Sequence, residues 1–164
     1  MRIFSDSASE TAKIGKIIAG NLNPGDIICL FGELGSGKTV LAKGIAQGLG
    51  IKKEKVISPS FVLIRQHLKC KLPLYHFDLY RLRDLGDILG LGYEEYFYDK
   101  GVTIVEWADR LRGLLPGEFL KIRLNVKGQT KRMLEFSAFG THYKKLLKEL
   151  HESRTFKKIK SVGK

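Results

Sequence analysis

The chain has 164 residues, 43% of them hydrophobic and 28% charged, which suits one globular domain with a real core and excludes a disordered chain. With 29 Lys and Arg against 17 Asp and Glu, the formal net charge is +12, which points to an acidic partner, most often nucleic acid, or to a solvated basic surface. No apolar run approaches a membrane span, the opening MRIFSDSASET lacks an apolar signal core, and Cys29 and Cys70 have neither CxxC nor metal spacing, so a cytoplasmic protein with no membrane partner is expected.

Ser7-Ala8-Ser9-Glu10 is a capping box, and Ala12, Ile14, Ile17, Ile18 and Leu22 continue it as a helix until Asn23-Pro24-Gly25-Asp26 turns the chain. Residues 27–31 are a short apolar run, read as a buried strand, and Val40, Leu41, Ile45 and Leu49 predict a helix over 38–49. A charged link, 52–55, leads to Ser58-Pro59-Ser60-Phe61, where Pro59 forces an extended or turn geometry on Ser58. Residues 61–66 and 74–77 read as strands joined through 69–73, followed by short helices over 81–92 and an aromatic, acidic helical turn at 93–98. Residues 102–105 are the second buried-strand signal, ending at Glu106-Trp107, and residues 108–111 open a helix that Pro116-Gly117 stops. Residues 119–126 and 132–139 alternate apolar and polar as a β-hairpin, and Tyr143, Leu146, Leu147 and Leu150 make one last amphipathic helix.

Between the first apolar strand and its helix lies Gly32-Glu33-Leu34-Gly35-Ser36-Gly37-Lys38-Thr39, which fits G-x-x-x-x-G-K-[ST]. Glycines allow a tight turn, successive N–H groups make an anion-binding concavity, and the helix N-terminus faces the same spot. A glycine-rich turn that binds nothing would match the pattern too, but the strand–loop–helix context favours a nucleotide. The expectation is therefore an α/β, P-loop NTPase-like three-layer fold with a mixed parallel and antiparallel central sheet over residues 1–150, and a basic tail over 151–164. Residues 140–164 alone carry +6, half of the excess charge.

The expected nucleotide contacts are Glu33, Leu34, Gly35, Ser36, Gly37, Lys38 and Thr39, together with Asp78. Lys38 can reach the terminal phosphates and Thr39 can ligate Mg²⁺. Such a site also needs an acid at a strand end. Glu106 fits that shape better and is assigned to Mg²⁺, directly or through water; Asp78 is assigned to orient or deprotonate the attacking water. Lys38 and Asp78 are thus the expected catalytic pair, ATP and Mg²⁺ the expected cofactors. Trp107, next to Glu106, should lie by the nucleotide unless it is a plain core residue. A GTPase would need Asn-Lys-x-Asp, which is absent; Asp87-Ile88-Leu89-Gly90 follows no apolar strand; and Arg81 and Arg83 could mimic the Arg-bearing lid of a small-molecule P-loop kinase, but the chain is short for one.

GELGSGKT, SPSF, HFDLYRL and VEWADRL, in this order and closed by a β-hairpin, resemble the TsaE (YjeE) family over residues 7–139. The resemblance implies an ATPase supporting formation of threonylcarbamoyladenosine (t6A) at position 37 of tRNAs that read ANN codons. It implies TsaD-like and TsaB-like partners, with hydrolysis resetting their complex, and functional residues at Lys38, Thr39, Asp78 and Glu106. Residues 58–61 match the family's switch-like loop, with Ser60 where the family usually has Thr. The basic end is not explained by the resemblance; tRNA would be met indirectly or through that tail, and a nucleotide-gated RNA-binding module or a small-molecule P-loop kinase is the alternative reading.

Overall fold

Ser7 opens the first helix, α1 (Ala8–Ala19), by accepting from the Glu10 N–H at 3.1 Å, while Glu10 reaches back to the Asp6 N–H at 2.7 Å, one residue beyond the usual reciprocal bond. The helix stops before Leu22 because Asn21 turns its side-chain amide onto the Ile17 carbonyl at 2.8 Å. The computed structural model describes residues 1–56, 62–153 and 156. The SPSF loop at 58–61 and most of the basic tail lie outside the described residues.

Among the described residues seven strands form one sheet: β1 (Arg2–Ser5), β2 (Ile27–Phe31), β3 (Ile64–His67), β4 (Leu74–Asp78), β5 (Val102–Glu106), β6 (Phe119–Val126) and β7 (Arg132–Phe139), in the order β1-β7-β6-β2-β5-β4-β3. The inner run β6-β2-β5-β4 is parallel, and both flanks are antiparallel. The mixed sheet read from the sequence is thus what forms. β1 was not anticipated. Its four residues alternate exposed and buried, too few to stand out as a pattern, and it is held by pairing with β7 and by the Arg2–Glu135 ion pair at 2.6 Å.

Helices cover the sheet on two sides. α1, α2 (Lys38–Gly48) and α5 (Thr141–Glu152) place Ile14, Ile18, Leu41, Ile45 and Leu146 against Ile28, Leu30, Ile104 and Ile122. On the opposite face, α3 (Leu85–Leu89), α4 (Tyr93–Phe97) and a 3₁₀ segment (Ala108–Leu114) pack Ile88, Phe97 and Leu111 on Cys29, Phe77 and Val105. The helix expected after Glu106 is this 3₁₀ segment. Trp107 enters it with a left-handed backbone (φ 59) and Arg112 interrupts it (φ 46), so no continuous α ladder forms. Phe156, from the region read as tail, is fully buried and meets Phe136 edge-on at 6.2 Å. Among the described residues no helix is long and apolar enough to cross a membrane.

α1 and α2 cross with backbones nearly touching. A Cβ added at Gly44 would lie 2.3 Å from the Ala12 carbonyl oxygen. Alanine gains up to about 1 kcal/mol of helix propensity over glycine, and overpacking against rigid backbone costs about 1–3 kcal/mol. The clash should win, so Gly44→Ala should lower the melting temperature by several degrees in a thermal unfolding scan; a raised value would mean that the helices separate freely.

Candidate nucleotide site

The site is built where β2 ends and α2 begins. Gly32 has φ 142, and a Cβ there would strike the Leu124 carbonyl oxygen at 2.5 Å and Ser36 Oγ at 2.7 Å, so only glycine lets the chain fold into the loop. The Ser36 N–H closes a turn on the Glu33 carbonyl at 3.1 Å. Gly37, left-handed at φ 102, starts α2 with no side-chain cap, which leaves the first-turn N–H groups for an anion. Glu33, Leu34 and Gly35 form the exposed crown of the loop, and Ser36 sits beneath it with its Oγ buried and without a hydrogen-bond partner. That orphaned hydroxyl and the uncapped helix end are what a phosphate group would satisfy.

β7 braces the loop from outside. Arg132 donates through Nε to the Ser36 carbonyl at 3.1 Å and through Nη2 to the Gly35 carbonyl at 3.3 Å. Two cavities flank the loop. One of about 530 Å³ is bordered by Phe31, Glu33, Trp107, Arg123 and Asn125. A smaller one of about 190 Å³ lies between Thr11, Val40, Gln129 and Arg132.

Below the loop, the sheet register brings the acids together. Glu106 pairs with Leu30 of β2 on one side and with Asp78 of β4 on the other, so both strand-end acids share a row next to the start of α2. Side chains alternate along a strand, so His76, Asp78 and Glu106 share the α2 face. The Thr39 hydroxyl donates to Glu106 Oε2 at 2.6 Å, and His76 Nε2 lies 2.8 Å from Glu106 Oε1. His76 and Glu106 are each 1% exposed. Asp78, also buried, accepts from the Tyr80 N–H at 3.1 Å.

Lys38 is curled onto its own loop. Its ammonium donates to the carbonyls of Gly32 and Glu33 at 2.7 and 2.9 Å and sits 3.8 Å from the centre of the Trp107 ring. Burial holds its pKa below the usual lysine range, against the opposing pull of Glu106, Asp109 and Asp78. The left-handed backbone of Trp107 is what swings the indole over this ammonium. Trp107 therefore lies at the site, as its place beside Glu106 predicted.

The oxygen donors of Thr39 and Glu106, with Asp78 alongside, suit a hard cation that shares its remaining ligands with phosphate and water. Among the described residues no group of three or more His, Cys, Asp and Glu forms a cage of its own. The structure thus brings Ser36, Gly37, Lys38, Thr39, Asp78 and Glu106 into one place, with Glu33, Leu34 and Gly35 as the rim. Two contributors went unnoticed in the sequence. His76 was legible as the residue two before Asp78 on the same strand face, whereas nothing local marks Arg132, which acts from far along the chain.

The chain matches the family described as "Threonylcarbamoyl adenosine biosynthesis protein TsaE" over residues 5–134. It is 44% identical over 141 residues to the tRNA threonylcarbamoyladenosine biosynthesis protein TsaE of Bacillus subtilis, a match covering 86% of this chain and 87% of the relative. It is 39% identical to the TsaE protein of Treponema pallidum, covering 80% of this chain and 96% of the relative. The crystal structure of Bacillus subtilis YdiB superposes with a TM-score of 0.79 at 37% identity, covering 92% of this chain and 93% of that one.

The Lys38–Trp107 contact has an optical consequence. Saturating Mg-ATP should draw the ammonium off the indole and change the emission of the single tryptophan, and Lys38→Met should shrink that change. An emission spectrum insensitive to nucleotide would dissociate Trp107 from the site.

Proposed function

The chain belongs to the TsaE family of tRNA threonylcarbamoyladenosine biosynthesis proteins, and from that premise we propose that it is a Mg²⁺-dependent ATPase of the t6A pathway. The observation that carries the proposal is the Thr39–Glu106 hydrogen bond, which joins the phosphate-loop helix to a strand-end acid. Binding starts at the loop: N–H groups of Gly35, Gly37, Lys38 and Thr39 take the phosphates, and Lys38 exchanges its two carbonyl partners for β- and γ-phosphate oxygens. Thr39 and Glu106 would hold Mg²⁺, which, when bound, neutralises charge developing on the phosphates. Asp78, in the row beside Glu106, orients a water toward the γ-phosphate and takes up its proton.

Hydrolysis then serves a complex with TsaD-like and TsaB-like proteins in the cytoplasm, resetting it between rounds of t6A formation at position 37 of tRNAs that read ANN codons. The family resemblance supports these partners, and the net charge of +12 is compatible with an anionic tRNA nearby. The central experiment is ATP hydrolysis by the purified chain, alone and with the two partner proteins. No turnover in either condition would sink the ATPase reading.

Two sets of variants test the roles. Lys38→Ala should lower turnover by about two to three orders of magnitude, the usual loss when one fixed donor to developing charge is removed. A Lys38→Ala protein that turns over at the parent rate would overturn the phosphate-loop assignment. Glu106→Gln should raise the Mg²⁺ concentration needed for nucleotide binding, whereas Asp78→Asn should leave ATP affinity intact and slow the chemical step. Titration of a fluorescent ATP analogue over a Mg²⁺ series, beside single-turnover rates, separates the two; the opposite pattern would exchange their roles.

A further inference from the structure

Glu106 serves a cation best when its carboxylate is held in one plane. The terminal torsion of a glutamate is broad, with no strong preference of its own, so that plane must be set by hydrogen-bond donors. Glu106 has two: Thr39 on Oε2 at 2.6 Å and His76 on Oε1 at 2.8 Å. Thr39 has a second task, because its hydroxyl oxygen is itself a cation ligand on the Mg²⁺-dependent reading. His76 is better placed to stay. It sits in the middle of β4, paired with Arg65 of β3 and Ile104 of β5, and is 1% exposed. Its backbone is tied on both edges, and its ring points along the same face as Glu106.

On the metal-dependent reading given above, on which this step rests, we infer that His76 is the positioning residue of the metal site. A hydrogen on Nε2 is donated to Glu106 Oε1 and fixes the imidazole tautomer. With Oε1 held, Oε2 stays aimed at the space between Thr39 and the loop whether or not Thr39 is donating to it. His76 touches neither nucleotide nor cation; it acts through Glu106 alone. Outer partners of this kind commonly change metal affinity by about 10- to 100-fold when lost.

The test measures the Mg²⁺ concentration at which a fluorescent ATP analogue reaches half-maximal binding, and the analogue's affinity in excess EDTA. Mn²⁺ binding, followed by electron paramagnetic resonance, gives a readout independent of turnover. His76→Phe keeps a flat ring and removes the donor; His76→Gln restores an amide N–H near the position of Nε2. His76→Phe should raise the Mg²⁺ requirement by about 10-fold or more and weaken Mn²⁺ binding alike, while EDTA affinity stays within about twofold. His76→Gln should recover most of the parent's Mg²⁺ dependence. Should His76→Phe fail to fold, His76→Asn, whose shorter amide falls short of Oε1, takes its place with the same expected shift. An unchanged Mg²⁺ requirement in the donor-less variant, or an equal loss with and without Mg²⁺, overturns the positioning role. A parent protein whose nucleotide affinity ignores Mg²⁺ overturns the metal-dependent reading instead, so the two failures are distinguishable.

Discussion

The 2.6 Å bond between the Thr39 hydroxyl and the Glu106 carboxylate ties the start of α2 to the end of β5, and the geometry of the site depends on it. Thr39 is placed by the loop, whose path exists because Gly32 and Gly37 take backbone angles closed to other residues. Glu106 is placed by the sheet, where β5 lies between β2 and β4 in parallel register. A one-residue slip in that register would turn Glu106 to the other face and bring Val105 or Trp107 to the α2 side. The apolar run of β5, buried along its whole length, opposes such a slip, because its two core faces are filled by different sets of side chains.

The sheet holds its charges on terms that make them useful. Buried carboxylates are costly unless paired, and Glu106 is paired twice, once with a neutral hydroxyl and once with an imidazole. Lys38 is partly withdrawn from water, and burial weakens its hold on its proton. Its ammonium rests on two carbonyls and an indole face rather than on a carboxylate. Such partners are exchangeable for phosphate oxygens at less expense than an ion pair would be, so the loop can be well ordered and still open to an anion. Arg132 supports the arrangement from the far hairpin by engaging the carbonyls of Gly35 and Ser36.

The three-layer form keeps chemistry and packing apart. α1, α2 and α5 share one face with the site, and the close crossing of α1 and α2 fixes how the phosphate-loop helix leans on β2 and β5. The opposite face, under α3, α4 and the 3₁₀ segment, is aromatic and apolar, with Phe77 edge-on to Tyr96 and Phe97. Cys29 lies in that layer, its thiol pushed up by burial and so kept protonated as a small apolar group. From that layer Trp107 reaches Lys38 of the loop, carried across by its own left-handed backbone between β5 and the 3₁₀ segment.

What the sequence determined by itself is whatever depends on neighbours along the chain. The capping Ser7, the apolar runs of β2 and β5, the hairpin of β6 and β7, and the glycine-lysine loop each have their cause within a few residues, and each forms where its pattern lies. Trp107 could be placed because it adjoins Glu106. The tertiary structure decided what depends on residues far apart in sequence. β1 is too short to announce itself and exists because β7 offers an edge. The segment after Glu106 reads as a helix by composition, but the turns at Trp107 and Arg112 confine it to 3₁₀ geometry. The partnership of His76 with Glu106 spans 30 residues and that of Arg132 with Ser36 spans 96; both arise when strand order sets distant residues side by side, which no local periodicity encodes.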